Sequence, residues 1–419
     1  LRFPGFEGEW EVKKLGDIAN KVNSGKTPLG GEAIYIKEGI LFIRSQNVNN
    51  DKLELENSTF IPESVNSQMK NSIVKSNDIL LNITGASLGR SCVVPNDFKI
   101  GNVNQHVCII RLTQQYSPRF IQPIFSSSKG QNIFNNLQTG SGREGLNFEN
   151  IKGIRLSIPN LKEQQQIASF LSLIDERIVT QNKIIKELKS SKHSFIKKIF
   201  TRELRFRDNN DKYYPEWHEK RMKDLFTFKV TNSFSREKLN YENGTVKNIH
   251  YGDIHTKFQT LFDIKKEIVP YINSNINITK ISEDSYCKEG DMIFADASED
   301  LNDVGKSIEI INLNNQRILA GLHTILARPI SNIFSIGFCG YLFKSQKVRA
   351  QIQKESQGSK VLSISVNRLA NLSLSIPCLE EQIKIANLFS SMDLKLNTEK
   401  QILQELEKQK KFLLQQMFV

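Results

Sequence analysis

Cysteine is scarce in this 419-residue chain, and long apolar runs are missing. The five cysteines, Cys92, Cys108, Cys287, Cys339 and Cys378, form no CxxC pair and are odd in number. That argues against a disulfide framework or a zinc knuckle, and for buried free thiols in a reducing cytoplasm. No apolar segment reaches the ~20 residues a membrane helix needs. The opening LRFPGFEGEW has neither a basic-then-apolar leader nor a Met, so the sequence is expected to begin inside its natural chain.

Catalytic motifs are missing too. No GxGxxG follows a strand pattern, and no Asn/Asp-Pro-Pro-aromatic tetrad occurs. VGKS at 304–307 suggests a phosphate loop, but Asp300 stands where that loop needs glycine. GASLGR at 85–90 lacks the closing Lys-Ser/Thr. The six histidines show no ligand spacing, and His106 and His323 read as structural residues at matched strand positions. A self-contained methyltransferase, nuclease or nucleotide hydrolase is therefore disfavoured, and no bound metal or cofactor is expected. The charge is not neutral: 57 Lys and Arg exceed 45 Asp and Glu by 12. A basic excess favours a polyanion partner, whose counterions the cations displace.

What the chain does contain is a repeat. IPNLKEQQQIASFLSLID at 158–175 returns as IPCLEEQIKIANLFSSMD at 376–393. From Pro159–Phe200 to Pro377–Phe418 the offset is a constant 218, and 14 of 42 positions are identical without a gap. With drift, GEWEVKKLGDI matches PEWHEKRMKDL, pairing Trp10 with Trp217. NDILLNITGASLGRSCVV matches GDMIFADASEDLNDVGKSIEI, and QHVCIIRL matches LHTILARP. The order is globule, helix, globule, helix.

Alternating steps of four and three pick out Ile167, Leu171, Ile174, Ile178, Gln181, Ile185, Leu188, Lys192, Phe195 and Ile199. The second copy gives Ile385, Phe389, Met392, Leu396, Glu399, Leu403, Leu406, Lys410, Leu413 and Met417. Eight of ten are apolar in each, the signature of a coiled-coil seam, and the polar breaks coincide. Two copies of one unit relate most simply by a pseudo-twofold, which makes the helices antiparallel. At ~1.5 Å per residue each is a rod of roughly 57 Å. Short β-branched runs broken by Asn, Asp and Gly fill the globules, so the expected class is mixed α/β with a largely β core. The expected boundaries are globule 1–158, helix 159–200, globule 201–376 with a linker at 201–216, and helix 377–419.

The remaining candidates for chemistry are polar loops whose side chains suit base edges. In the first globule they are Arg44, Gln46 and Asn47, then Thr84, Ser87 and Arg90, then Arg143. Their counterparts are His250, Tyr251 and Asp253, then Lys306, then Ser359 and Lys360. Glu163, Gln164, Lys183 and Glu187, with Glu381, Gln382 and Glu405, are expected on the exposed helix flanks, available to protein partners.

The duplicated IP.L.EQ..IA..L...D with its long helices, the paired EW…K.L.D and the IRSQNV stretch resemble the specificity subunits of type I restriction-modification systems. The resemblance spans essentially the whole chain. It implies two target-recognition domains, each reading one half of an asymmetric bipartite DNA target, with the helices as a ruler. It implies two modification subunits that bind S-adenosylmethionine and methylate adenine N6, and restriction subunits that use ATP and Mg2+. Catalysis would then lie in those partners. A coiled-coil scaffold, or the specificity module of a methylation-only system, is the alternative.

Overall fold

The computed structural model describes residues 2–49, 51–138 and 145–418. Two helices dominate the element order, Leu161–Phe200 and Leu379–Met417. Each follows a proline that cannot donate within a helix. In the first, Asn160 Oδ1 accepts the amide of Glu163 at 3.0 Å and caps the start. The apolar period of 3.5 gives each helix a buried stripe. Ile167, Leu171, Ile174 and Ile185 are buried, and Ile178 and Leu188 half-buried. Ile385, Phe389 and Leu406 are buried, and Met392, Leu396 and Leu403 half-buried. Among the twenty seam positions only Phe195 is exposed.

The chain divides into two compact units that are not contiguous in sequence. The first is Leu1–Lys183 with Gln401–Val419, and the second is Ile184–Lys400. Each long helix thus gives one half to each unit.

In the first unit, an antiparallel sheet runs Ala19–Ser24, Val107–Leu112, Ile79–Asn82, Ser91–Val93. A second sheet runs Thr59–Ile61, Ile40–Ile43, Gly101–Val103, Ile73–Val74, and its Ile40–Ile43/Gly101–Val103 pair is parallel, with Gly101 opposite Leu41. Glu11–Lys14 pairs with Arg155–Ile158 beside them. The core gathers Phe120, Phe125 and Phe134 from helices Pro118–Ser126 and Ser128–Leu137, then Ile167 and Leu171, then Leu414, Met417 and Phe418. The first globule is therefore closed by both long helices, the start of one and the end of the other, which run antiparallel within the unit.

The second unit repeats this plan. One sheet runs Phe226–Lys229, Thr324–Pro329, Met292–Ala295, Ser307–Asn312, Leu261–Asp263. The other again contains one parallel pair, Val246–Ile249 with Arg317–Ala320. Ile199 and Phe200 from one long helix share its core with Ile385 and Phe389 from the other. Phe200 packs on Phe338 at 6.1 Å, as Phe418 packs on Phe120 at 5.6 Å in the first unit. Duplication extends to single contacts. Arg111 grips Asp78 with two bonds of 2.7 Å, and Arg328 grips Asp291 at 2.9 and 2.8 Å. Residues 201–216 lie folded on the second unit: Arg205 donates to Tyr214 O, and Lys384 to Arg207 O, both at 2.7 Å.

The Glu-Gln pairs are not on exposed flanks. Glu163, Gln164, Glu381 and Gln382 are all at most 2% exposed. Arg2 donates to both Glu163 oxygens at 2.8 Å, and Trp217 Nε1 donates to Glu381 at 2.9 Å. Gln164 accepts the Ser117 amide at 2.9 Å and donates to Pro159 O at 2.8 Å; Gln382 does the same with Ser335 and Pro377 at 2.9 and 3.0 Å. Buried polar groups need such partners, so these residues fasten the helix start to its globule. Lys183, Glu187 and Glu405 are exposed as expected.

Candidate nucleic-acid interface

Hydrogen bonding joins the candidate loops of the first unit. The strand Ile40–Ile43 ends in a short 3-10 turn, Ser45–Asn47. The strand Ile79–Asn82 ends in another, Gly85–Ser87. Asn82, buried between them, donates to Ser45 O at 2.9 Å. Arg90 donates to Asn49 Oδ1 at 3.1 Å. Thr84 Oγ1 lies 2.6 Å from His106 Nδ1, and Thr84 forms a β-bridge with Gly145. His106 stands one residue before its strand, in this loop cluster and not on the strand as expected. Gln46 and Arg90 are exposed, and Arg44, Thr84 and Ser87 half-buried. Asn47 is buried, accepting from Arg44 N at 3.0 Å and donating to Glu54 O at 2.9 Å, so it holds the loop. Arg143 lies outside the described residues.

In the second unit the strand Val246–Ile249 ends in a helix, Tyr251–Thr256. Burial, and then the Arg236 charge, push the His250 imidazolium below its ordinary pKa. The ring is therefore neutral at pH 7, and Nδ1 accepts the Gly252 amide at 3.1 Å. Asp253 is fully buried; Arg236 donates to its two oxygens at 2.7 and 2.8 Å, and Lys257 approaches at 3.0 Å. Burial opposes its charge, but these cations outweigh it and hold the carboxyl below its usual range. Asp253, like Asn47, braces its loop. Tyr251 lies tilted against His250 with ring centres 4.6 Å apart and meets His323 edge-on at 5.3 Å. Lys306 donates to His255 O at 2.7 Å. Ser359 and Lys360 are exposed at the tip of a hairpin whose arms pair at Gln357 and Ser363. That hairpin joins the cluster through Ala297 opposite Ser363, the counterpart of Thr84 opposite Gly145.

Several members of these clusters carry no motif in the sequence. Asn49, Gln105 and Thr27 belong to the first, with Thr27 donating to Gln105 at 2.6 Å. Arg236, Tyr241 and Lys257 belong to the second, with the Lys257 ammonium 5.4 Å from the Tyr241 ring centre. The alignment of His106 with His323 was the one available signal. The surface so assembled presents amide, guanidinium, ammonium, hydroxyl and aromatic groups. Burial raises the thiols of Cys92, Cys287 and Cys339, and pushes Cys108 up to about 12, so none is a thiolate at neutral pH. Among the described residues no group of three or more His, Cys, Asp and Glu could hold a metal, and no helix is long and apolar enough to cross a membrane.

The profile of the type I restriction modification DNA specificity domain matches the chain twice, at residues 7–190 and 214–408. The MjaVIII specificity subunit of Methanocaldococcus jannaschii is 26% identical over 431 residues, covering 96% of this chain and 90% of that protein. The EcoBI specificity subunit of Escherichia coli is 27% identical over 179 residues, 40% of this chain and 36% of its own. The fold resembles the S subunit from M. genitalium, with a TM-score of 0.57 at 13% identity over 100% of this chain and 98% of that one. It also resembles a chain from a type I restriction-modification system solved for its assembly and conformational transition, with a TM-score of 0.59 at 14% identity over 98% of both. Two matches to one domain, one per globule and helix, place this chain in the family of type I restriction-modification specificity subunits, with two target-recognition domains.

Proposed function

We propose that each target-recognition domain reads one half of an asymmetric bipartite DNA site, and that this chain performs no chemistry itself. The observation that carries the reading is a repeated frame with unlike loops. Matched strand ends present Gln46, Arg90 and Thr84 in one unit and Tyr251, Lys306, Ser359 and Lys360 in the other. Amide and guanidinium side chains read base edges, while backbone amides and lysines hold phosphates. The excess of 12 positive charges supports binding to the duplex. Two modification subunits, bringing S-adenosylmethionine, would flip and methylate an adenine at N6 in each half. Restriction subunits, bringing ATP and Mg2+, would act on unmodified sites.

The test is methylome sequencing of cells given this chain with its modification subunit. A bipartite, asymmetric motif with N6-methyladenine in both halves is expected. Replacing residues 201–376 by another recognition domain should change one half only. A palindromic or continuous motif overturns the reading.

A further inference from the structure

The recognition loop of the first unit is tied to the long helices by one acidic residue. Hairpin strands Val48–Asn49 and Lys52–Leu53 follow directly on the turn that carries Gln46. Asp51 occupies the hairpin tip in the left-handed region, with φ of 62°. Its carboxylate accepts Lys410 Nζ at 2.8 Å, Gln122 Nε2 at 3.0 Å and Ser126 Oγ. Lys410, near the end of the second long helix, also meets Asp175 of the first at 2.7 Å. Burial works against both charges. For Asp51 the Lys410 charge, together with the hydrogen bonds from Lys410, Ser126 and Gln122, outweighs it and holds the carboxyl low; for Lys410 the two carboxylates outweigh it and hold the ammonium high. The Lys410 side chain is 17% exposed and that of Asp51 25%, so water screens the pair only in part. The same hairpin holds the reading loop, since Asn49 accepts from Arg90, and Asn47 donates to Glu54 just beyond it. In the second unit the equivalent lysine, Lys192, pairs with Asp393, whose other oxygen accepts Tyr341 Oη at 2.7 Å from the helix Phe338–Leu342.

We propose that Asp51 and Lys410 are positioning residues for specificity in the first half-site: the helix end sets the hairpin, and the hairpin aims Gln46 and Arg90. This rests on the DNA reading proposed above. The test compares full-length Asp51→Asn, Lys410→Gln, Lys410→Arg and Asp175→Asn chains, each assembled with modification subunit, by methylome sequencing. Asp51→Asn and Lys410→Gln should relax discrimination at one or more first-half positions by ~10-fold, the worth of a lost base contact, with the second half unchanged. Lys410→Arg should keep the wild-type motif. Asp175→Asn should keep it also, because it cuts the helix-to-helix arm and spares the arm to the hairpin. An unchanged first half in both Asp51→Asn and Lys410→Gln overturns the proposal. So does equal loss in both halves, or an Asp175→Asn chain that behaves like Lys410→Gln, since either marks general loosening. A wild-type complex that leaves no bipartite motif overturns the DNA reading itself, and this proposal with it.

Discussion

The Glu-Gln pair that opens each long helix shows how a single residue sets an element on its globule. Gln382 satisfies backbone groups at Ser335, Ile333 and Pro377 at once. Gln382→Ala leaves buried polar groups unpaired and should destabilise the second unit by ~1–3 kcal/mol. Trp10 lies in the first unit and Trp217 in the second, so denaturant titration of single-tryptophan variants (Trp10→Phe or Trp217→Phe) reads each unit separately. Glu309 offers a pH test. Burial raises its pKa to about 7, against two backbone amides, Gly337 and Gly340, at 2.5 and 2.6 Å. The folded state therefore keeps this proton to higher pH than the unfolded chain does. Its stabilising contribution is whole below the ordinary carboxylate value of 4.5 and is lost as pH rises toward 7. Stability of the second unit should fall across that window, and Glu309→Gln should flatten the slope. At this scale the sequence was a partial guide. Residue type nominated Asn47, Asp253, Glu163 and Gln164 for outward roles, but burial is set by strand pairings distant in sequence, which no local pattern records.

At the scale of the element, the helices were the most legible part. An apolar period of 3.5 is local, and 19 of the 20 positions it selects are at least half-buried. Their ends do more than pair with each other, because each finishes in a globule core. Phe418→Ala should destabilise the first unit by ~3–5 kcal/mol and leave the second unit's transition in place, with Phe200→Ala the converse. The single-tryptophan probes distinguish the two. Tyr341→Phe removes one donor from Asp393 and should cost ~1 kcal/mol in the second unit. The strands were legible only as strands. Ile40–Ile43 lies parallel to Gly101–Val103, some sixty residues on, and nothing in either segment names its partner. The duplicate supplied what pattern could not, since QHVCIIRL and LHTILARP align the arginines that both grip a buried aspartate.

For the molecule as a whole, the reading of the helices as a ruler makes a prediction about spacing. Insertion of seven residues in one helix should shift or abolish the preferred separation of the two half-sites; a methylome that keeps the same spacer refutes the ruler. The division of the chain has another consequence. All of the second unit has been synthesised once residue 400 is made, whereas the first unit still lacks Leu414, Met417 and Phe418. On the ribosome, the domain made first would be finished last. Its apolar floor would stay open while some 230 further residues are added, and would attract chaperones or a neighbouring nascent chain during that delay. Chain order would thus expose the first target-recognition domain to misassembly in a way that the second escapes.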